Sequence, residues 1–145
     1  MEKTTTTRKF LIATHGTFAA GVKSSLDLII GAMDNVFLIQ AYVDENKSIE
    51  SEINEIMAQV GENDELVVLA DILGGSVTNM LLQHALRPNV HIVSGFNLPL
   101  AIEILMADAT EPIEEVISQA IDNAKEQMVY VNKLLSTQNT TDDND

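Results

Sequence analysis

The chain contains no cysteine. Disulfides, thiolate metal sites and a cysteine nucleophile are therefore excluded. Basic residues are scarce, with 8 lysines and arginines against 22 aspartates and glutamates, a formal net charge of -14. A nucleic-acid binder needs a basic stripe to displace phosphate counterions, and an anionic membrane surface makes a similar demand, so the charge argues against both. A basic protein partner would suit it through complementary fields. No apolar run approaches the ~20 residues of a membrane span, and the threonine-rich N-terminus has no signal-peptide core. A GxxxxGKS/T loop is missing, so nucleotide binding is not indicated. Neither linker nor repeat divides the 145 residues, of which 46% are hydrophobic, enough for one domain with a substantial core. The expectation is a soluble cytoplasmic protein.

What the chain does have is two apolar runs that each end in one reactive polar group. Lys9–Gly16 reads KFLIATHG and delivers His15; Leu66–Ser76 reads LVVLADILGGS and delivers Asp71. Continuous apolar runs bounded by turn residues read as strands buried on both faces of a parallel sheet. The pattern predicts strands over Lys9–Thr14, Asn35–Tyr42, Glu65–Ala70 and Val90–Ser94. Between them it predicts helices over Ala19–Ile30, from an N-cap at Ser48 to Gly61, and over Val77–Leu86. Met80, Leu81 and Leu86 read as a core stripe, and His84 as a mid-helix residue. A helix follows near Pro99, and a last one runs from about Ile113 to Leu135 after Pro112. Residues 1–8 read as a polar lead-in, 9–135 as one domain, and 136–145 as a disordered acidic tail.

Strands alternating with helices imply a doubly wound α/β sheet, mainly parallel, with order 2-1-3-4 as in flavodoxin-like folds. In that order the crevice between the carboxyl ends of strands 1 and 3 is the topological switch point where ligands bind. His15 and Asp71 then flank it, so two residues 56 positions apart are predicted to touch. Singly, one is a polar strand end and the other a helix cap; the paired placement favours a site. Asp71 accepting from Nδ1–H of His15 would fix the tautomer and leave a lone pair on Nε2. Two ligands are too few for a metal, and His84 and His91 lie on other elements. Thr14 and Gly16 on one side, and Gly74, Gly75 and Ser76 on the other, form loops suited to a phosphoryl group at a helix N-terminus. The site thus reads as phosphohistidine on Nε2, with no metal and no cofactor. Phe18, Ile72 and Leu73 are candidates for a docking rim.

Three blocks in order, ATHGTFAAGVKSSLDLIIG, LADILGGSVTN and GFNLPLAIEILM, resemble the IIA component of the mannose family of the bacterial sugar phosphotransferase system. The resemblance covers about Lys9 to Leu135. It implies that His15 takes a phosphoryl group from the phosphocarrier HPr and passes it to a IIB component, which phosphorylates sugar entering through a membrane permease. It also implies that Asp71 orients His15, that Ser76 lies by the phosphoryl group, and that the protein is a cytoplasmic homodimer with a strand exchanged near the C-terminus. Some relatives carry threonine and tryptophan where this chain has Ile72 and Leu73. The short acidic tail in place of a long linker leads to the expectation of IIB on a separate polypeptide. Two other functions fit the fold: the phosphocarrier subunit of a dihydroxyacetone kinase, and a receiver-like regulatory module. The latter needs an acidic pair where the chain has Thr14-His15.

Overall fold

The computed structural model describes residues 7–136. Four strands, β1 (Thr7–His15), β2 (Val36–Ala41), β3 (Asp64–Ala70) and β4 (Val90–Ser94), form one sheet. All neighbours are parallel, and the order is β2-β1-β3-β4, as the alternation of elements predicts. Successive side chains of a strand point to opposite faces, so an unbroken apolar run must be covered twice. Phe10, Ile12, Val67 and Leu69 meet α1 (Phe18–Ile30), α4 (Leu98–Met106) and α5 (Ile113–Glu126) on one face. Leu11, Ala13, Val68 and Ala70 meet α2 (Ile49–Met57) and α3 (Ser76–Leu82) on the other.

The polar signals between these elements act as caps. Ser48 accepts from the Ser51 N–H (3.3 Å) at the start of α2, and Asn97 from the Leu100 N–H (3.0 Å) at the start of α4. Among the described residues no helix is long and apolar enough to cross a membrane.

Most shifts from the sequence expectation are of one residue, but several are larger, and α2 stops at Met57 rather than at Gly61. β1 begins at Thr7, so Thr7 and Arg8 belong to the sheet; residues 1–6 of the lead-in lie outside the described residues. Arg8 is only 5% exposed and binds the Glu65 carboxylate (3.0 Å) and the carbonyls of Asp108 (3.2 Å) and Glu111 (2.7 Å). α3 stops at Leu82, because the chain tightens into i→i+3 turns at His84, Ala85 and Arg87 ahead of Pro88, whose ring disfavours a helical residue before it. His84 therefore lies in a turn, and Leu86 is 91% exposed rather than core, whereas Leu81 is fully buried.

α5 ends at Glu126, well before Leu135. Val129 and Tyr130, β-branched and aromatic, are poor helix formers within the non-helical stretch 127–130, and helix resumes only over 131–136. The sheet has four strands among the described residues, and the acidic tail beyond Ser136 lies outside them. Lastly, β2 ends at Ala41, leaving Tyr42 just beyond the strand.

Candidate phosphoryl-transfer site

β1 and β3 lie side by side with Ala13 opposite Ala70, so the residues that follow leave the sheet at the same end. His15 is the last residue of β1, opposite Ala41 of β2, and Asp71 follows β3 directly. The predicted contact between them is present. Asp71 Oδ2 accepts from the His15 backbone N–H (2.9 Å) and faces the ring Nδ1 at 3.0 Å, with Oδ1 at 3.2 Å. Partial burial works against ionisation of Asp71, but the backbone and ring hydrogen bonds from His15, together with electrostatic attraction to the ring, hold its carboxyl below the usual carboxylate range. An ionised carboxylate can only accept, so in the neutral imidazole Nδ1 carries the proton and Nε2 keeps a lone pair. The His15 side chain remains 35% exposed.

The loop after β3 is shaped around this imidazole. Gly74 has φ +78, a left-handed conformation that L side chains rarely adopt. A Cβ at Gly75 would lie 3.3 Å from His15 Cε1 and 3.4 Å from the Ile72 carbonyl, so the glycine lets the backbone press against the ring. Thr78 Oγ1 donates to the Ile72 carbonyl (2.7 Å) and Asn79 Nδ2 to that of Gly74 (3.4 Å), tying the loop to α3. The GGSVTN block thus contains its own braces.

The candidate residues do not all converge. His15, Asp71 and Gly75 are in direct proximity, and Ser76 opens α3 beside them. Thr14 is fully buried, and its Oγ1 accepts from the Ala19 N–H (2.8 Å), a bond that holds the first turn of α1. Gly16 takes the left-handed turn (φ +61), but its N–H is spent on the Ala41 carbonyl (2.9 Å). Of the rim residues, Phe18 stacks on Phe96 with ring centroids 5.7 Å apart, while Ile72 and Leu73 stay exposed.

One residue of the site escaped the sequence reading. The Tyr42 ring stacks against His15 with centroids 5.9 Å apart at 28°, and its hydroxyl bonds Ser76 Oγ at 2.6 Å. A usable signal existed: Tyr42 ends the run of the strand next to β1, at the sheet end where ligands bind.

The fold has counterparts among known proteins. The family model described as "PTS system fructose IIA component" matches residues 9–121. The mannose-specific EIIAB component of Escherichia coli (strain K12) is 25% identical over 119 residues, 80% of this chain and 37% of that protein. The chain thus spans little more than a third of the curated relatives it matches. A Klebsiella pneumoniae structure, described as a candidate phosphoenolpyruvate-dependent sugar phosphotransferase system permease, superposes with a TM-score of 0.86 at 35% identity, covering 93% of this chain and 98% of that one. The PTS IIA protein associated with the fucose utilization operon of Streptococcus pneumoniae gives 0.75 at 28% identity, over 92% and 99%. With the family model matching most of its length and the sheet order shared, this chain belongs to the mannose family of sugar phosphotransferase-system IIA components.

Proposed function

We propose that the chain is a phosphoryl carrier that accepts phosphate from phospho-HPr on His15 Nε2 and passes it to a IIB component for sugar uptake. The observation that carries this reading is the Asp71 carboxylate on His15 Nδ1 (3.0 Å), which leaves Nε2 as the only ring nitrogen with a lone pair to offer. On uptake the N–P bond of the donor breaks as the Nε2–P bond forms; on delivery the Nε2–P bond breaks as phosphorus bonds to the acceptor atom of the IIB component. No water, metal or nucleotide enters the balance. Asp71 stabilises positive charge as it develops on the ring, and Ser76, Gly75 and Gly74 face the transferred group. Thr14 and Gly16 contribute by fixing the turn that ends β1. The relatives' names support a place in the sugar phosphotransferase system: one is a PTS IIA protein, the other an EIIAB component.

A homodimer completes the proposal. β4 is paired on one side only among the described residues, and a groove of about 470 Å³ lined in part by Leu82, Val90, Ile92 and Ile117 runs along its open edge. Met128, Val129, Tyr130 and Val131 are exposed, a β-prone run suited to filling such an edge in a second copy. In this reading the protein works in the cytoplasm and reaches the membrane only through the permease.

The test is phosphorylation with phosphoenolpyruvate, enzyme I and HPr, locating the modified residue by peptide mass spectrometry. Acid-labile, alkali-stable phosphate on His15 is expected. No modification, with the relay shown active on another IIA protein, would reject the carrier role. Light scattering of the purified chain tests the dimer, and a monomer at micromolar concentration would reject it.

A further inference from the structure

Tyr42 is the one non-glycine residue among those described with a positive φ, at 69°. For a bulky aromatic residue this is a genuine outlier, and such strain persists where the surroundings over-determine it. What it achieves here is specific. Tyr42 directly follows Ala41, the register partner of His15, and the left-handed turn sets its ring in an offset stack against the imidazole instead of continuing the strand. The ring is 63% exposed, so core packing does not account for its position. Its hydroxyl meanwhile reaches Ser76 Oγ at 2.6 Å. Ser76 adjoins Gly75, whose backbone abuts His15 Cε1, the ring carbon bonded to Nε2. One side chain therefore bridges the acceptor ring and the Ser76 hydroxyl.

We infer that Tyr42 is a positioning residue that covers one face of His15 with its ring and aims the Ser76 hydroxyl at the phosphoryl group with its phenol. In the free protein the two hydroxyls satisfy each other. Phosphoryl oxygens only accept, so with Nε2 phosphorylated Ser76 donates to the phosphoryl group and accepts from Tyr42. The ring has a second effect. Hydrolysis requires a water oxygen to bond phosphorus as the Nε2–P bond breaks, and the aromatic cover restricts the approach of that water. The inference rests on the phosphoryl-carrier reading for its role, though not for the cover itself.

Two variants separate the parts. Tyr42→Phe keeps the ring and removes the hydroxyl. Tyr42→Asn removes the ring with a residue that tolerates the left-handed backbone, so folding is preserved. On unphosphorylated protein, the rate at which diethyl pyrocarbonate modifies His15, followed by peptide mass spectrometry, should rise about 2–10-fold in Tyr42→Asn and stay unchanged in Tyr42→Phe. On phosphorylated protein, Tyr42→Asn should shorten the phosphohistidine lifetime by a similar factor, while Tyr42→Phe retains it. Transfer from phospho-HPr at saturation should slow about fivefold in Tyr42→Phe, the worth of one neutral hydrogen bond. Equal His15 reactivity in Tyr42→Asn and the parent, or an unchanged transfer rate in Tyr42→Phe, would overturn the inference. Should HPr phosphorylate neither parent nor variants, the carrier reading fails by itself, and the diethyl pyrocarbonate rates still decide whether Tyr42 covers the ring.

Discussion

The paired strands β1 and β3 carry a charged couple at each end, and the two ends are built to opposite purposes. At the start of the strands Arg8 holds Glu65, and Lys9 holds Asp64 (3.1 Å) while also donating to the Gln59 carbonyl (2.8 Å). Arg8 is spent on backbone carbonyls as well, so this end stitches β1 to the loop between α4 and α5. A nearby depression of about 480 Å³ is lined by Glu62, Asp64, Glu65 and Glu114, which would repel an anion. At the other end His15 gives Asp71 one ring nitrogen and keeps the second uncommitted. A polar pair whose members are both tied to further partners is structure; one that keeps a ring nitrogen uncommitted can do chemistry.

Mutations at the two ends should break this contrast in different ways. The largest effect belongs to His15→Ala, which should abolish phosphate uptake from HPr while the circular dichroism spectrum stays that of the parent. Asp71→Asn should slow transfer by about 10–100-fold, the usual loss when the group orienting a functional histidine is removed, with weaker effects on docking measured by titration calorimetry. Arg8→Ala should do the reverse. It strands the Glu65 carboxylate and the carbonyls it served, and we expect about 2–3 kcal/mol less stability in urea denaturation, with the transfer rate per folded molecule unchanged.

The effect of pH sharpens the comparison. Because Asp71 is held below its ordinary range in the folded state, its contribution is fully present above about pH 4 and is lost as pH falls through the lowered value. Urea midpoints between pH 2 and 7 should therefore fall less steeply with acid in Asp71→Asn than in the parent. The smallest effect is expected from Lys9→Met, under about 1 kcal/mol by the same assay, since that pair is partly solvated.

The sheet order and the His15–Asp71 contact were legible because each strand is a continuous apolar run cut short by a turn residue. Such runs fix which ends face one another before any side chain is placed. Arg8 was not legible, since its partners lie about a hundred positions away and nothing local distinguishes it from the polar residues before it. Nor was Tyr42, whose place depends on a left-handed backbone that no propensity assigns to tyrosine. Leu86 misled because its spacing fits the helical stripe, while Pro88 two residues later ends the helix before that stripe is complete. Gly16 and Thr14 were read as loop donors and turned out to be engaged, because a turn's hydrogen bonds are visible only once its neighbours are placed.

The imidazole of His15 is held at one edge by Asp71, approached at another by Gly75 and overlaid by Tyr42. A ring so confined has surrendered its rotational freedom when the chain folds, a cost met once in the life of the molecule and not again at each encounter. Whatever docks over Nε2 then meets an acceptor of fixed direction, and its own surface need not select a rotamer. Two partners of quite different shape could therefore use the same atom in turn.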